Sequence, residues 1–244
     1  MKKSFTYAVF TDVGDREVNE DSVGTCTTET GECFVLCDGL GGHGMGDEAS
    51  RLVTTVFEKT FRESEQISDF QAHVFSAAQD ILLAEQKRRN AEKKMKTTAT
   101  VLASDRRKAY IGHIGDSRVY VFHHNKVRCR TLDHSIPQML VMTGEIKEEE
   151  IRNHPDRNIL LRVMGIRWDE PMYEWMRPIP LWKCQAFLLC SDGFWELIEE
   201  EQMCDLLKHS DSSQQWLDQM VQVVRANGAD RDMDNFSAIA VWYG

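Results

Sequence analysis

The chain has no C-x-x-C pair, no glycine loop running into Lys-Ser or Lys-Thr, and no apolar run near the ~18 residues of a membrane span. The first absence argues against a structural zinc site and the second against a P-loop. The third leaves no candidate transmembrane helix. Seven cysteines are present, an odd number that argues against a secreted disulfide framework. Cys33, Cys37 and Cys190 lie inside apolar runs and read as buried thiols. Positive charge is scarce, with 29 basic against 39 acidic residues and a net charge of −10. Such a surface repels phosphate backbones, so neither nucleic acid nor a membrane is expected as a partner. Lys2 and Lys3 open the chain, but polar residues then interrupt any signal-peptide core. A cytoplasmic, soluble protein is expected. Low-complexity linkers and repeats are absent, so a single domain over 1–244 is the simplest expectation.

What is present is an ordinary globular mixture, 42% hydrophobic and 28% charged. Residues 5–13 and 33–37 read as strands. Ala49, Leu52, Val53, Val56, Phe57 and Phe61 recur at helical spacing. A second helix is expected from about Ser68, with Ser68 and Gln71 as a capping box and Val74, Ala78, Ile81 and Leu82 on one face. TATVLASD, KAYIGHIGD, RVYVFHHNK and VRCRTL follow as consecutive short strands. Residues 133–165 hold short helical pieces and a charged run, and are expected to cover the surface. QAFLLCSD is a strand ending in aspartate. Helices are expected near 196–208 and 212–226, the second with Trp216, Leu217, Met220, Val221 and Val224 on one face. FSAIAVW closes the chain as a strand. Runs of strands followed by helices suggest α+β layers, not a regular βαβ alternation.

The stretch CDGLGGHG, residues 37–44, poses the functional question. Its glycines match G-x-G-x-x-G and permit close backbone approach. A dinucleotide site, however, needs a second strand after the first helix, ending in an acidic residue ~20 positions beyond the glycines. Here two helices follow in succession, and Glu58, at a suitable distance, lies within the first. A metal reading finds more support. Asp21, Asp38, Asp116, Asp192 and Asp234 recur at strand ends or tight turns. Any one alone is an ordinary turn residue. Gathered together, such carboxylates need cations among them, and oxygen-only donors suit magnesium or manganese.

The motifs TDVGDREVNEDS, CDGLGGHGMGDEAS, IGDSRVYVF, TLDHS, LLCSDGFWE and DNFSAIAV occur in this order from about Thr11 to Val241. Together they resemble the metal-dependent serine/threonine protein phosphatases of the type 2C class, the PPM family, in its compact bacterial form. The resemblance implies an α+β fold, a four-layer αββα sandwich of two antiparallel β-sheets flanked by helix pairs. It implies hydrolysis of phosphoserine and phosphothreonine by direct attack of a hydroxide bridging two Mn2+ or Mg2+ ions. Asp38 would bridge them, and Asp192 and Asp234 would complete one site. Asp21 would serve the other mostly through water, with the Gly39 carbonyl as a further ligand. On this view the glycines let the chain turn a main-chain oxygen toward a metal.

The same resemblance places Arg16 as the phosphate clamp. It places His43 as a general acid toward the leaving alkoxide, or as a hydrogen-bond partner of a metal-bound water. Asp116 is a candidate for a third metal site; its alternative is to hold a turn, with Arg118 pairing to a neighbouring carboxylate. Residues 134–165 match a variable flap, where His134, His154 and Arg157 could touch substrate. Two departures stand out. Leu40 replaces a more frequent methionine, and ADRDMDN lacks the usual glycine, so Asp230 and Asp232 compete with Asp234 as ligands, Asp234 being preferred because Asn235 follows it. Implied partners are phosphorylated proteins and a cognate serine/threonine kinase system, with a monomer as the default. Three other functions remain open: a catalytically silent binding module on the same fold, a hydrolase of small phosphomonoesters, and, remotely, the dinucleotide enzyme.

Overall fold

The computed structural model describes residues 4–40, 44–92 and 94–244. In chain order the strands β1 (Phe5–Asp12), β2 (Asp21–Thr27) and β3 (Glu32–Leu40) precede the helices α1 (Gly46–Glu63) and α2 (Ile67–Arg89). Next come β4 (Lys96–Thr97), β5 (Ala99–Ser104), β6 (Lys108–Ile114), β7 (Arg118–His123) and β8 (Lys126–Arg130). The flap contains α3 (Ile136–Thr143) and a 3-10 segment, Glu148–Asn153, before the short β9 (Glu174–Trp175) and β10 (Ile179–Pro180). The chain closes through β11 (Ala186–Cys190), α4 (Asp192–Trp195), α5 (Glu200–Lys208), α6 (Ser213–Gly228) and β12 (Phe236–Tyr243).

Two antiparallel sheets result. One runs β1-β12-β11-β7-β8; the other runs β10-β6-β5-β3-β2, with β4 and β9 as short additions. The central strands read as continuous apolar runs because both faces are covered. Side chains alternate across a strand, so each run divides between two cores. Phe187 and Leu189 of β11 meet Phe34, Leu36 and Leu102 between the sheets. Ala186, Leu188 and Cys190 of the same strand face the helix layer holding Trp216, Leu217 and Met220 of α6. Cys33, Val35 and Cys37 of β3 face Val53, Phe57, Val74 and Ala78 of α1 and α2 on the other side. Three cores between four layers make the αββα sandwich, as the motifs implied. Each fully buried large side chain contributes about 1.5–3 kcal/mol by leaving water.

The helix faces agree with the periodicity at most positions. The five α6 residues are all buried. Ile81 departs: it is half exposed, because the buried stripe of α2 runs through Phe70, Val74, Phe75, Ala78 and Leu82. The Ser68–Gln71 capping box does not form. The helix starts at Ile67 with Gln66 at its N-cap and no side-chain cap. Strand β2 carried too weak a signal to be read. It has few apolar residues and exists through its pairing with β3. The helix expected near 196–208 starts later, as α5 at Glu200, opened by a Glu199–Gln202 capping box, while the short α4 precedes 196.

Candidate metal centre

Pairing of β2 with β3 sets Asp21 directly opposite Asp38. Because β11 and β12 are antiparallel neighbours, with Cys190 opposite Ala238, Asp192 just after β11 and Asp234 just before β12 reach the same end of the sandwich. Asp116 sits in the turn that carries the chain from β6 in one sheet to β7 in the other. Five aspartates from four regions of the chain thus converge. A cleft of about 620 Å³ opens on them, lined among others by Arg16, Glu20, Asp38, Asp116, Asp192 and Asp234.

Like charges in a dry place resist ionisation. Burial, then the neighbouring Asp192, Asp21 and Asp116, pushes the Asp38 carboxyl well above its usual range. Burial and Asp192 do the same to Asp116. Asp192 is raised by burial and by Asp234, against hydrogen bonds from Asp38 and the Gly193 amide. Asp21 is pushed up to about 7, first by burial, although the Ser191 hydroxyl donates to its Oδ2 at 2.8 Å. Its Oδ1 is buried with no partner. An orphaned carboxylate oxygen, mutually repelling carboxyls and an oxygen-only donor set fit hard divalent cations.

Neighbouring residues hold these groups in place. The Asp38 amide donates to Thr98 Oγ1 at 3.0 Å, while the Asp38 carbonyl accepts from the Thr98 amide and the Thr97 hydroxyl, each at 2.8 Å. Gly39 lies in extended β3, so its role is close approach and not the expected turn. A Cβ there would lie 2.3 Å from the Gly46 carbonyl oxygen and 2.7 Å from that of Glu20. Positive φ occurs later, at Gly44 and Met45. Arg16 forks onto Asp234, Nε to Oδ1 at 3.1 Å and Nη2 to Oδ2 at 3.2 Å, and reaches Asp232 at 3.3 Å. Asn235 ties the 13–20 loop to this edge: its Oδ1 accepts from the Glu20 amide, and its Nδ2 donates to the Val13 and Val18 carbonyls.

Known proteins match this arrangement along nearly its whole length. The family description "Protein phosphatase 2C" matches residues 13–236. The chain belongs to the protein phosphatase 2C family. It is 29% identical to the serine/threonine phosphatase stp of Listeria welshimeri, covering 93% of this chain and 90% of that protein. Protein phosphatase PhpP of Streptococcus pneumoniae is 28% identical over 82% of this chain and 83% of its own. The crystal structure of serine/threonine phosphatase Stp1 from Staphylococcus aureus superposes with a TM-score of 0.87 at 29% identity, covering 98% of this chain and 95% of that one.

Within this protein phosphatase 2C framework, the structure sorts the residues expected from sequence. Arg16, Asp38, Gly39, Asp116, Asp192 and Asp234 all line the cleft. Asp21 stands behind it, buried beside Ser191. Of the competing acids, Asp232 bonds the far side of Arg16 and does not line the main cleft, whereas Asp234 does. His43 lies outside the described residues. Of the flap candidates, His134 is buried away from the cleft. It stacks on His113 at 4.6 Å, and its Nδ1 accepts the Gly115 amide at 3.2 Å. His154 accepts from the Asp156 amide at the surface. Arg157 alone reaches a lobe of the site, paired to Glu196 at 3.1 Å. Arg118 pairs with Asp133, as a neighbouring carboxylate was expected to do.

Sequence reasoning missed Glu20 and Asn158, and it used Asn235 only as the marker of Asp234, without its tie to the 13–20 loop. Glu20 had a signal: two acidic residues in succession place one on each side of a strand's end. Trp195 was missed as well. Its Nε1 donates to the Asp116 carbonyl at 3.0 Å while the Arg118 guanidinium lies 3.4 Å from its ring centroid.

Proposed function

We infer that this member of the family is a metal-dependent protein serine/threonine phosphatase, acting on phosphoserine and phosphothreonine monoesters. One observation carries the reading: aspartates from four regions of the chain meet in one cleft beside a guanidinium, in a protein whose net charge is −10. We propose Asp38 as the carboxylate shared between two Mn2+ or Mg2+ ions, with Asp192, Asp234, Asp21 and the Gly39 carbonyl as their further holders, and Asp116 as the holder of a third. When bound, such cations supply Lewis acidity, neutralising phosphoryl oxygens and making water a competent nucleophile at neutral pH.

The chain's own residues supply position. Arg16 offers a planar fork to two phosphate oxygens and offsets charge as phosphorus is attacked. Thr97 and Thr98 hold the Asp38 peptide, so its carboxylate needs no reorganisation when substrate arrives. His43 is proposed to protonate the leaving alkoxide or to hydrogen-bond the attacking water. No thiol takes part: burial pushes Cys37 up to about 12 and Cys33 well above its usual range.

We further propose that residues 1–244 form one catalytic unit, monomeric and cytoplasmic, opposed to a cognate serine/threonine kinase. Among the described residues no helix is long and apolar enough to cross a membrane. The deciding experiment is hydrolysis of a phosphothreonine peptide by metal-stripped protein, with and without added Mn2+. Turnover only with Mn2+ is expected. Folded protein inactive in both conditions would leave a silent binding module instead.

A further inference from the structure

A second cavity of about 290 Å³ adjoins the main cleft and shares Arg16, Asn158, Asp192 and Asp234 with it. Its lining holds three arginines and four carboxylates. Arg16 is matched by Asp232 and Asp234, and Arg157 is matched by Glu196. Asp192 and Asp234 face the proposed cations. Among the described residues, one arginine of this lining has no side-chain partner. Arg231 lines the lobe, and its backbone amide donates to the Gly228 carbonyl. Among the described residues none forms a hydrogen bond or ion pair with its side chain. Its guanidinium therefore keeps its full set of donors for a ligand.

We propose that this lobe is an anion subsite, with Arg231 as its donor, for an acidic group next to the phosphorylated residue of a substrate. The proposal rests on the phosphatase reading and deepens it by naming a substrate class. Because the lobe and the cleft share Asp192 and Asp234, the second anion lies within one or two residues of the scissile phosphate, at about 3.3–3.6 Å of extended chain per residue. The requirement is chemical. Elsewhere the mouth is acidic, with Glu17 and Glu20 on the main cleft, so an acidic peptide is repelled except where this guanidinium faces it. A carboxylate and a second phosphate satisfy the same donor set, and a guanidinium binds either in a forked geometry.

The test compares kcat/KM, in Mn2+, for three kinds of phosphothreonine peptide. One is flanked by alanine. One carries glutamate one or two residues away, on each side in turn. One carries a second phosphothreonine there. The parent protein is expected to prefer the acidic peptides over the alanine peptide. Arg231→Ala should lower that preference about threefold to tenfold, as for a partly exposed charged contact, and Arg231→Glu should reverse it. Whichever acidic peptide loses more names the favoured anion. A preference that is the same in parent and Arg231→Ala, or absent from the parent, overturns the subsite. Hydrolysis of the alanine peptide by the parent keeps the phosphatase reading apart from this one. If no peptide is cleaved, that reading falls and the subsite falls with it.

Discussion

Arg118 and Asp133 are almost wholly buried and satisfy one another through a two-pronged bond, Nε to Oδ1 at 2.9 Å and Nη2 to Oδ2 at 2.7 Å. Close by, joined to this pair through Trp195, the aspartate cluster is built the opposite way. Asp21, Asp38, Asp116 and Asp192 are all raised in their affinity for protons, first by burial and then by neighbouring carboxylates. Both arrangements remove charge from water at a cost of several kcal/mol per ion before compensation. The first finds its compensation within the chain, so it is structural. The second finds little beyond Arg16 at the rim, so its compensation must come from solution as cations. Buried charge by itself does not mark a functional site; buried charge of one sign does.

The comparison can be broken at either end. Asp38→Asn takes away the proposed shared ligand and should lower kcat/KM by on the order of a thousandfold or more, since the Lewis acidity is worth several kcal/mol. Removing a repelling charge should leave the melting temperature of the metal-free protein unchanged or raised. Near-parental turnover would exclude the bridging role. Arg118→Ala should do the reverse. It leaves Asp133 buried with only the longer Arg130 contact at 3.5 Å and should cost about 3 kcal/mol in urea unfolding. An effect under 1 kcal/mol would mean that water reaches the pair.

Arg16→Ala should reduce kcat/KM about tenfold to a hundredfold through lost charge-assisted bonds to phosphate, mainly in KM. If both constants stay put, Arg16 belongs only to its carboxylates.

The pH dependence of stability sharpens the contrast further. The folded state holds the Asp21 proton up to about 7, against an ordinary 3.8, so between those values it binds more protons than the unfolded chain. Stability of metal-stripped protein should therefore fall as pH rises through this window. Asp21→Asn should flatten the decline, and an unaltered slope would place its source elsewhere. Smallest of all, Cys33→Ser should leave turnover untouched while costing about 1–3 kcal/mol for an unpaired hydroxyl in an apolar core. A loss of kcat would contradict the thiol-free chemistry.

Much of the fold was legible along the chain. The strand runs of β3, β11 and β12 and the buried face of α6 follow from local periodicity, because a residue's face is set by its spacing within one element. The aspartates, too, were recognisable in their motifs at strand ends. What the sequence by itself determined is thus which segments are strands and helices, which faces are apolar, and which residue types stand at the ends.

Only the tertiary structure decided which of those ends meet. Asp192 and Asp234 are neighbours because β11 pairs with β12, and Asp21 faces Asp38 because β2, a strand too weak to read alone, pairs with β3. The hold of Thr98 on Asp38, the stapling by Asn235, the place of Glu20 in the cleft, the burial of His134 and the unpaired charge of Arg231 all depend on segments dozens to hundreds of residues apart. Such contacts leave no periodic trace, since nothing in the spacing along one strand records which strand lies beside it.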